Sequence, residues 1–294
     1  MIEVRRLSLF TLLLATLSTV PSAAARAAPV LPAAADWSTD VAAARARAER
    51  EEKPILVDLW AAWCTWCKRL DEDVFSTAEF RDYALGFVLL RVDTEDGADG
   101  TRLMEDFAVE SLPTTLLVTH DLIRIGELRG YAPVGPFVQS LQLEAAMYAT
   151  LLRAYDDRGK TGGDALQTLA DELHARRDGR RAAALYRELL ARGDANAEEE
   201  AWNRFYYADS LRLARVWTEA RAAAAEARAA AGALDNGELR ERVDLLPYYL
   251  ARDAAACEEA RAALERFVAE HPDGIYVDVA QHALRRMKSS ERCA

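Results

Sequence analysis

The sequence predicts two folded parts in series: an α/β part in which helices flank a mixed sheet, and an all-α part built from helical hairpins. Three observations predict this. From Trp37 to about Met147, short continuous apolar runs alternate with amphipathic segments, the pattern of helices covering a sheet. From about Ala149 onward no convincing strand occurs, and the composition shifts to Ala, Arg, Glu and Leu at helical spacing. The 294 residues, 51% hydrophobic and 8% aromatic, give length for two ordinary domains and apolar material for a core in each. The expected division is 1–27 as a signal peptide, 28–148 as the α/β part and 149–294 as the helical part.

At the N-terminus, Arg5-Arg6 precede an uncharged stretch from Leu7 to Val20, followed by Pro21 and small residues. Ser22-Ala23-Ala24 and Ala25-Arg26-Ala27 both suit cleavage, so the order is that of an export signal. The apolar stretch is shorter than the ~18 to 20 residues that span a bilayer, which favours cleavage over a retained anchor. The mature chain is therefore expected in an oxidising compartment, the periplasm or the cell exterior. A formal net charge of -11, with no basic stretch interleaved with aromatics, argues against a nucleic-acid partner.

In the α/β part, Asp40 can cap a helix reaching about Glu52, and Pro54 opens the buried strand Ile55 to Trp60. A helix is expected from about Cys64 to Asp73, and Ser76-Thr77-Ala78-Glu79 reads as a capping box for a short helix ending near Gly86. Phe87 to Val92 is the second central strand, and Thr101 to Phe107 a short helix. Thr114 to Val118 and Leu122 to Leu128 form an antiparallel hairpin through His120-Asp121, with a helix beginning near Pro133.

In the helical part, Ala182, Leu185, Tyr186, Leu189 and Leu190 follow i, i+3, i+4, i+7, i+8 spacing, repeated by Ala260, Ala263, Leu264, Phe267 and Val268. Ala220, Ala223, Ala224 and Ala227 make a smaller-residue copy. Taking Ala182, Ala220 and Ala260 as equivalent gives intervals of 38 and 40 residues, a period of stacked helical hairpins. The region resembles degenerate tetratricopeptide repeats. No copy carries the full consensus, and the competing arrangement is an irregular helical bundle.

The chemistry concentrates in Trp63-Cys64-Thr65-Trp66-Cys67. A disulfide exchanger needs one thiol that ionises near neutrality and a second close enough to release the mixed disulfide; two cysteines separated by two residues at a helix start supply both. Cys64 lies by the unpaired N–H groups and positive end of the helix, and Cys67 one turn in is the resolving thiol. A zinc half-site has the same spacing, but Cys257, Cys293 and the histidines at 120, 174, 271 and 282 offer no second closely spaced pair. No metal or organic cofactor is implied.

The segment Lys53-Pro54-Ile55-Leu56-Val57-Asp58-Leu59-Trp60-Ala61-Ala62-Trp63-Cys64-Thr65-Trp66-Cys67-Lys68 resembles the active-site segment of the thioredoxin superfamily, in particular the C-terminal domain of the thiol:disulfide interchange protein DsbD. The similarity continues through Asp73-Val74-Phe75-Ser76, Arg91-Val92-Asp93 and Ser111-Leu112-Pro113-Thr114-Thr115. The resemblance implies a thioredoxin fold and exchange on protein thiols and disulfides, with a membrane-bound thiol protein as electron donor. It assigns Asp58 as a buried acid relaying a proton to or from Cys67, against the plainer placement on the polar face of a half-buried strand. It matches Pro113 to a cis-proline facing the cysteines, with Leu112 offering its backbone to a partner chain, and Trp63 to the aromatic beside the nucleophile. Thr65-Trp66 departs from the Gly-Pro of thioredoxin itself, and Trp66 suits either a partner-binding surface or packing on Trp60 or Leu70.

The helical half gives the rival expectation: an adaptor whose repeats bind a partner protein, with no redox turnover. Cys257 and Cys293 are expected either to form a structural disulfide or to remain as a buried thiol and a free thiol in the tail.

Overall fold

The β-branched and leucine run at 55–60 forms the central strand of a five-stranded sheet in the computed structural model of the protein, which describes residues 36–95 and 98–289. The expected signal peptide, and Cys293 with it, lie outside the described residues; Cys257 is not a free thiol. In chain order the strands are β1 (Trp37–Ser38), β2 (Ile55–Trp60), β3 (Val88–Asp93), β4 (Thr114–Val118) and β5 (Arg124–Arg129), and their spatial order is β1-β3-β2-β4-β5. β2 runs parallel to β3 and antiparallel to β4, and β4 and β5 form the expected hairpin. The two-residue β1 is too short to leave a periodic signal in the sequence.

Strand alternation divides the sheet into two faces. Ile55, Val57, Leu59, Val88, Leu90 and Val92 pack with Ala44 and Ala48 of α1 (Val41–Glu51) and Leu103 of α4 (Ala98–Asp106). Leu56 and Leu89 face the other way, onto Leu70 of α2 (Thr65–Leu70), Phe80 of α3 (Ala78–Ala84) and Phe137 of α5 (Val134–Asp156).

Asp40 caps α1 as expected, accepting from the Ala43 N–H. Three local expectations shift. The helix begun at Cys64 leaves α geometry after Leu70 and continues as a π-helical turn at Asp71–Phe75. The cap of α3 is Thr77, whose hydroxyl accepts from the Phe80 N–H at 3.1 Å, so Glu79 stands one position short of the partner role a capping box requires. β5 starts at Arg124 because Leu122 takes a left-handed conformation, φ 64°, in the turn.

Beyond the sheet the chain is helical. α5 runs unbroken through position 148, and Tyr148 packs with Leu166, Leu173 and Tyr186 of the helices that follow. Three hairpins follow: α6 (Gly163–Ala175) with α7 (Gly179–Arg192), α8 (Ala197–Leu213) with α9 (Trp217–Gly232), and α10 (Gly237–Asp253) with α11 (Cys257–Glu270); α12 (Val277–Ser289) packs on α11. Each hairpin turns through one left-handed residue, Arg177 (φ 66°), Arg215 (φ 60°) or Ala255 (φ 59°). The backbone bonds repeat as well: Asp178 N–H to Leu173 C=O, Val216 N–H to Leu211 C=O and Ala256 N–H to Ala251 C=O. Ala182, Ala220 and Ala260 occupy the same place in the second helix of each hairpin, and all are fully buried.

The helical part is tied to the sheet part by backbone and charge. The Arg124 N–H donates to the Arg176 carbonyl at 2.7 Å, and Arg176 Nη1 donates to the Ile125 carbonyl at 2.6 Å. Asp106, at the end of α4, is held by Arg252 at 2.9 Å and Arg177 at 3.5 Å, and Arg102 reaches Asp253 at 3.3 Å.

Candidate active site

β2 delivers the chain to the edge of the sheet at Trp60, and Ala61 to Cys64 make the turn into α2, closed by the Cys64 N–H donating to the Ala61 carbonyl at 3.0 Å. Cys64 is the cap residue of α2, in extended conformation, with Sγ accepting from the Cys67 N–H at 3.1 Å. Cys64 and Cys67 form a disulfide, S–S 2.04 Å, with Cα atoms 5.3 Å apart. Their three-residue spacing across the first turn of α2 is what brings them together. In this oxidised pair both residues are buried, at 3% and 1% exposure, and Ala61, Trp60 and Leu112 pack around them. In the disulfide state the same neighbours cover both residues, and Cys67 is the less exposed.

Asp58 lies on the face of β2 that also carries Leu56 and Trp60, and it is 1% exposed. The register pairs it with Arg91 on β3. Arg91 Nε stands 3.2 Å from Asp58 Oδ2, an ion pair in which neither Nε nor either carboxylate oxygen of Asp58 completes a hydrogen bond. Arg91 Nη1 and Nη2 donate to the two carboxylate oxygens of Asp71 at 2.8 and 2.7 Å, and its Cζ lies 4.7 Å from the Trp60 ring centroid. Burial pushes the Asp58 carboxyl up to about 7, opposed by the charge of Arg91 and reinforced by that of Asp71. The plainer placement of Asp58 on a half-solvated face is thus ruled out. Sequence reasoning assigned no role to Arg91 or Asp71.

The surface beside the disulfide is aromatic. Trp63 is 63% exposed, its indole N–H donating to Glu95 at 2.7 Å, and Trp66 is 59% exposed. Trp66 leans on Tyr131, ring centroids 5.5 Å apart. Tyr131 is itself placed by its hydroxyl bond to Asp73 at 2.8 Å. The Leu112–Pro113 bond is cis, as the resemblance implied. Leu112 touches the cysteine pair, and among the described residues its N–H and C=O take no backbone partner.

Among the described residues, Asp244, Glu270 and His271 form the group close enough to hold a metal. Arg228 occupies it instead, 2.8 Å from Asp244 and 2.9 Å from Glu270, while His271 Nε2 stands 2.9 Å from Asp244. The cluster is an ion-pair knot joining α9, α10 and α11.

Residues 36–119 match the Thioredoxin-like family. Over 98 residues the chain is 31% identical to the thiol:disulfide interchange protein DsbD of Yersinia pestis (strain Pestoides F), covering 32% of this chain and 16% of that protein. It thus spans about one sixth of the length of the curated relatives it matches. Among solved structures, it is similar to the DsbD C-terminal domain of Neisseria meningitidis in the oxidised form, at 18% identity over 37% of this chain and 99% of that one, TM-score 0.34. It is also similar to the DsbH oxidoreductase, at 16% identity over 41% of this chain and 91% of that one, TM-score 0.37. The parallel and antiparallel pairings about β2, the cysteine pair at the start of α2 and the family match agree: residues 36–119 are a thioredoxin-like domain, similar in sequence to DsbD, with a Cys64–Cys67 disulfide.

Proposed function

We propose that the protein is an exported thiol:disulfide oxidoreductase that works as a reductase or electron carrier on protein disulfides. The observation that carries this reading is the conjunction of a closed Cys64–Cys67 pair with a buried carboxyl, Asp58, tuned near neutrality on the face of β2 that α2 covers.

Starting from the reduced pair, the Cys64 thiolate attacks one sulfur of a substrate disulfide, forming a mixed disulfide and releasing the other substrate sulfur as a thiolate. Cys67 then gives its proton to the Asp58 carboxylate and attacks Cys64 Sγ. The second substrate sulfur leaves, and the protein is left with the Cys64–Cys67 disulfide, two electrons having passed to the substrate. A carboxyl with a pKa of about 7 divides its population between acid and base at neutral pH, which suits taking and returning that proton. Trp63, Trp66 and Leu112 form the apolar rim against which the substrate lies, and the open N–H and C=O of Leu112 suit an extended segment.

An oxidising compartment supplies no reducing buffer, so the pair is recharged by a membrane-bound thiol protein. The reductase assignment is tested by equilibrating the protein with glutathione redox buffers. A potential at or below about -200 mV supports it, and one near the about -120 mV of a strong dithiol oxidant overturns it.

A further inference from the structure

A cavity of about 730 Å³ opens between α6, α7, α8 and the loop after α7, remote in sequence from the cysteine pair. We propose that it is a docking site for a basic, extended segment of a partner protein, taking a lysine or arginine side chain against its acidic wall.

Asp164, Asp171, Asp194 and Glu199 line the cavity, and no lysine or arginine does. The basic lining residue is His174, whose Nε2 is occupied by Asp209 at 2.9 Å. Arg192 at the rim is engaged by Glu188 at 3.1 Å and by the Thr161 carbonyl. Internal bonds use only part of the acidic capacity. Asp171 accepts the Tyr186 hydroxyl and the Gln167 amide on a single oxygen, Oδ1, and Glu199 accepts the Asn196 N–H on Oε2. Asp164 and Asp194 have no ion-pair partner among the described residues.

Independently of the carboxylates, Asn203 projects from α8 into this cavity at 4% exposure, and its side-chain amide makes no hydrogen bond with the described residues. The amide faces the open space of the cavity, where an occupant would complete it. An amide presents a donor and an acceptor together, matching the C=O and N–H of a peptide main chain. One wall is a ladder of stacked rings: Trp202 on Tyr206 at 5.8 Å and Tyr206 on Tyr186 at 5.6 Å. Arg242 already stands 5.8 Å from the Trp202 ring centroid, so the wall suits covering the aliphatic stem of a lysine or arginine whose charged end meets the carboxylates. The volume is within the range of about 300–1,000 Å³ typical of ligand sites.

The test is fluorescence anisotropy on the full chain with a fluorescein-labelled, cysteine-free heptapeptide alternating glycine with lysine and arginine. The peptide should bind, and both Asn203→Ala and the pair Asp171→Asn/Asp194→Asn should weaken it about tenfold, roughly one lost charged or amide contact. The pair Asp235→Asn/Asp273→Asn removes the same charge from outside the cavity and should leave binding unchanged. Absence of binding by the unaltered chain, or equal weakening by both charge pairs, would overturn the proposal. So would displacement by spermidine as effective as by unlabelled peptide, which would make the occupant a free polyamine. Circular dichroism and disulfide-exchange activity should be unaltered in every variant, so failure here and failure of the redox reading are told apart.

Discussion

Asp58 and Arg91 face each other across the parallel pair β2–β3 with Oδ2 and Nε 3.2 Å apart, yet the guanidinium spends its two donor ends on Asp71. The buried acid is therefore beside a positive charge without being neutralised by it. Burial outweighs the attraction, and the carboxyl stays at about 7.

The first expectation concerns stability. In the unfolded chain Asp58 ionises near 3.9, whereas in the native state it holds its proton up to about 7. Between these values the native state binds more protons than the unfolded one, so the contribution of Asp58 to stability is complete below pH 4, is lost as pH rises to 7, and is flat above. Asp58→Asn removes this loss. From urea unfolding of the oxidised proteins, the variant should gain on the unaltered protein by on the order of 3 kcal/mol between pH 4 and pH 8. A difference independent of pH would show that Asp58 does not titrate in that window.

Arg91→Gln should move the same group further. Removing the adjacent cation leaves burial and Asp71 acting in one direction, so the pH at which the mixed disulfide resolves should rise by about one unit or more. Stopped-flow resolution rates from pH 5 to 9 read the midpoint directly. An unchanged midpoint would mean that Arg91 is too well neutralised by Asp71 to act on Asp58.

In the reduced protein, Cys64 should react first. Its sulfur already accepts the Cys67 N–H, and it lies at the start of α2, whereas Cys67 is one turn in. Brief alkylation at pH 6 followed by peptide mapping should label Cys64 well ahead of Cys67. Preferential labelling of Cys67 would reverse the two roles.

The joint between the two parts rests on Asp106. Its carboxylate is 8% exposed and faces Arg177 and Arg252, so Asp106→Ala would leave two poorly solvated guanidinium groups short of a counter-charge. A loss of about 3 kcal/mol is expected in denaturant unfolding. A change under about 0.5 kcal/mol, the usual cost of a surface substitution, would show that Asp106 adds little to the joint beside the Arg124 and Arg176 bonds and the Arg102–Asp253 pair.

The strands β2 to β5 and the cysteine pair are legible in the sequence because their signals are local. The run Ile55 to Trp60 is bounded by Pro54 and followed at once by the motif, and Asp58 stood out as a charge inside an apolar strand. Arg91 carried the same signal, sharing the parity of Leu89, but its partnership with Asp58 depends on the β2–β3 register, which only the folded sheet sets. Trp63 meets Glu95 across 32 residues, and no periodicity encodes such a contact. In the helical part the alanines at 182, 220 and 260 mark a buried position in the second helix of each hairpin. The left-handed turn residues Arg177, Arg215 and Ala255 gave no sign, because none is a glycine. The cap of α3 was misplaced by one residue because Ser76 and Thr77 both offer a hydroxyl, and only the backbone conformation chooses between them.

The central claim is that Cys64 and Cys67 carry out thiol–disulfide exchange, and insulin disulfide reduction with dithiothreitol as the electron source tests it most directly. The purified protein should bring insulin to precipitation well ahead of dithiothreitol alone, while Cys64→Ser should match the reagent blank, since the attacking sulfur is gone. Equal rates for the unaltered chain and the Cys64→Ser variant would contradict the account and leave the thioredoxin-like domain a scaffold for the helices that follow.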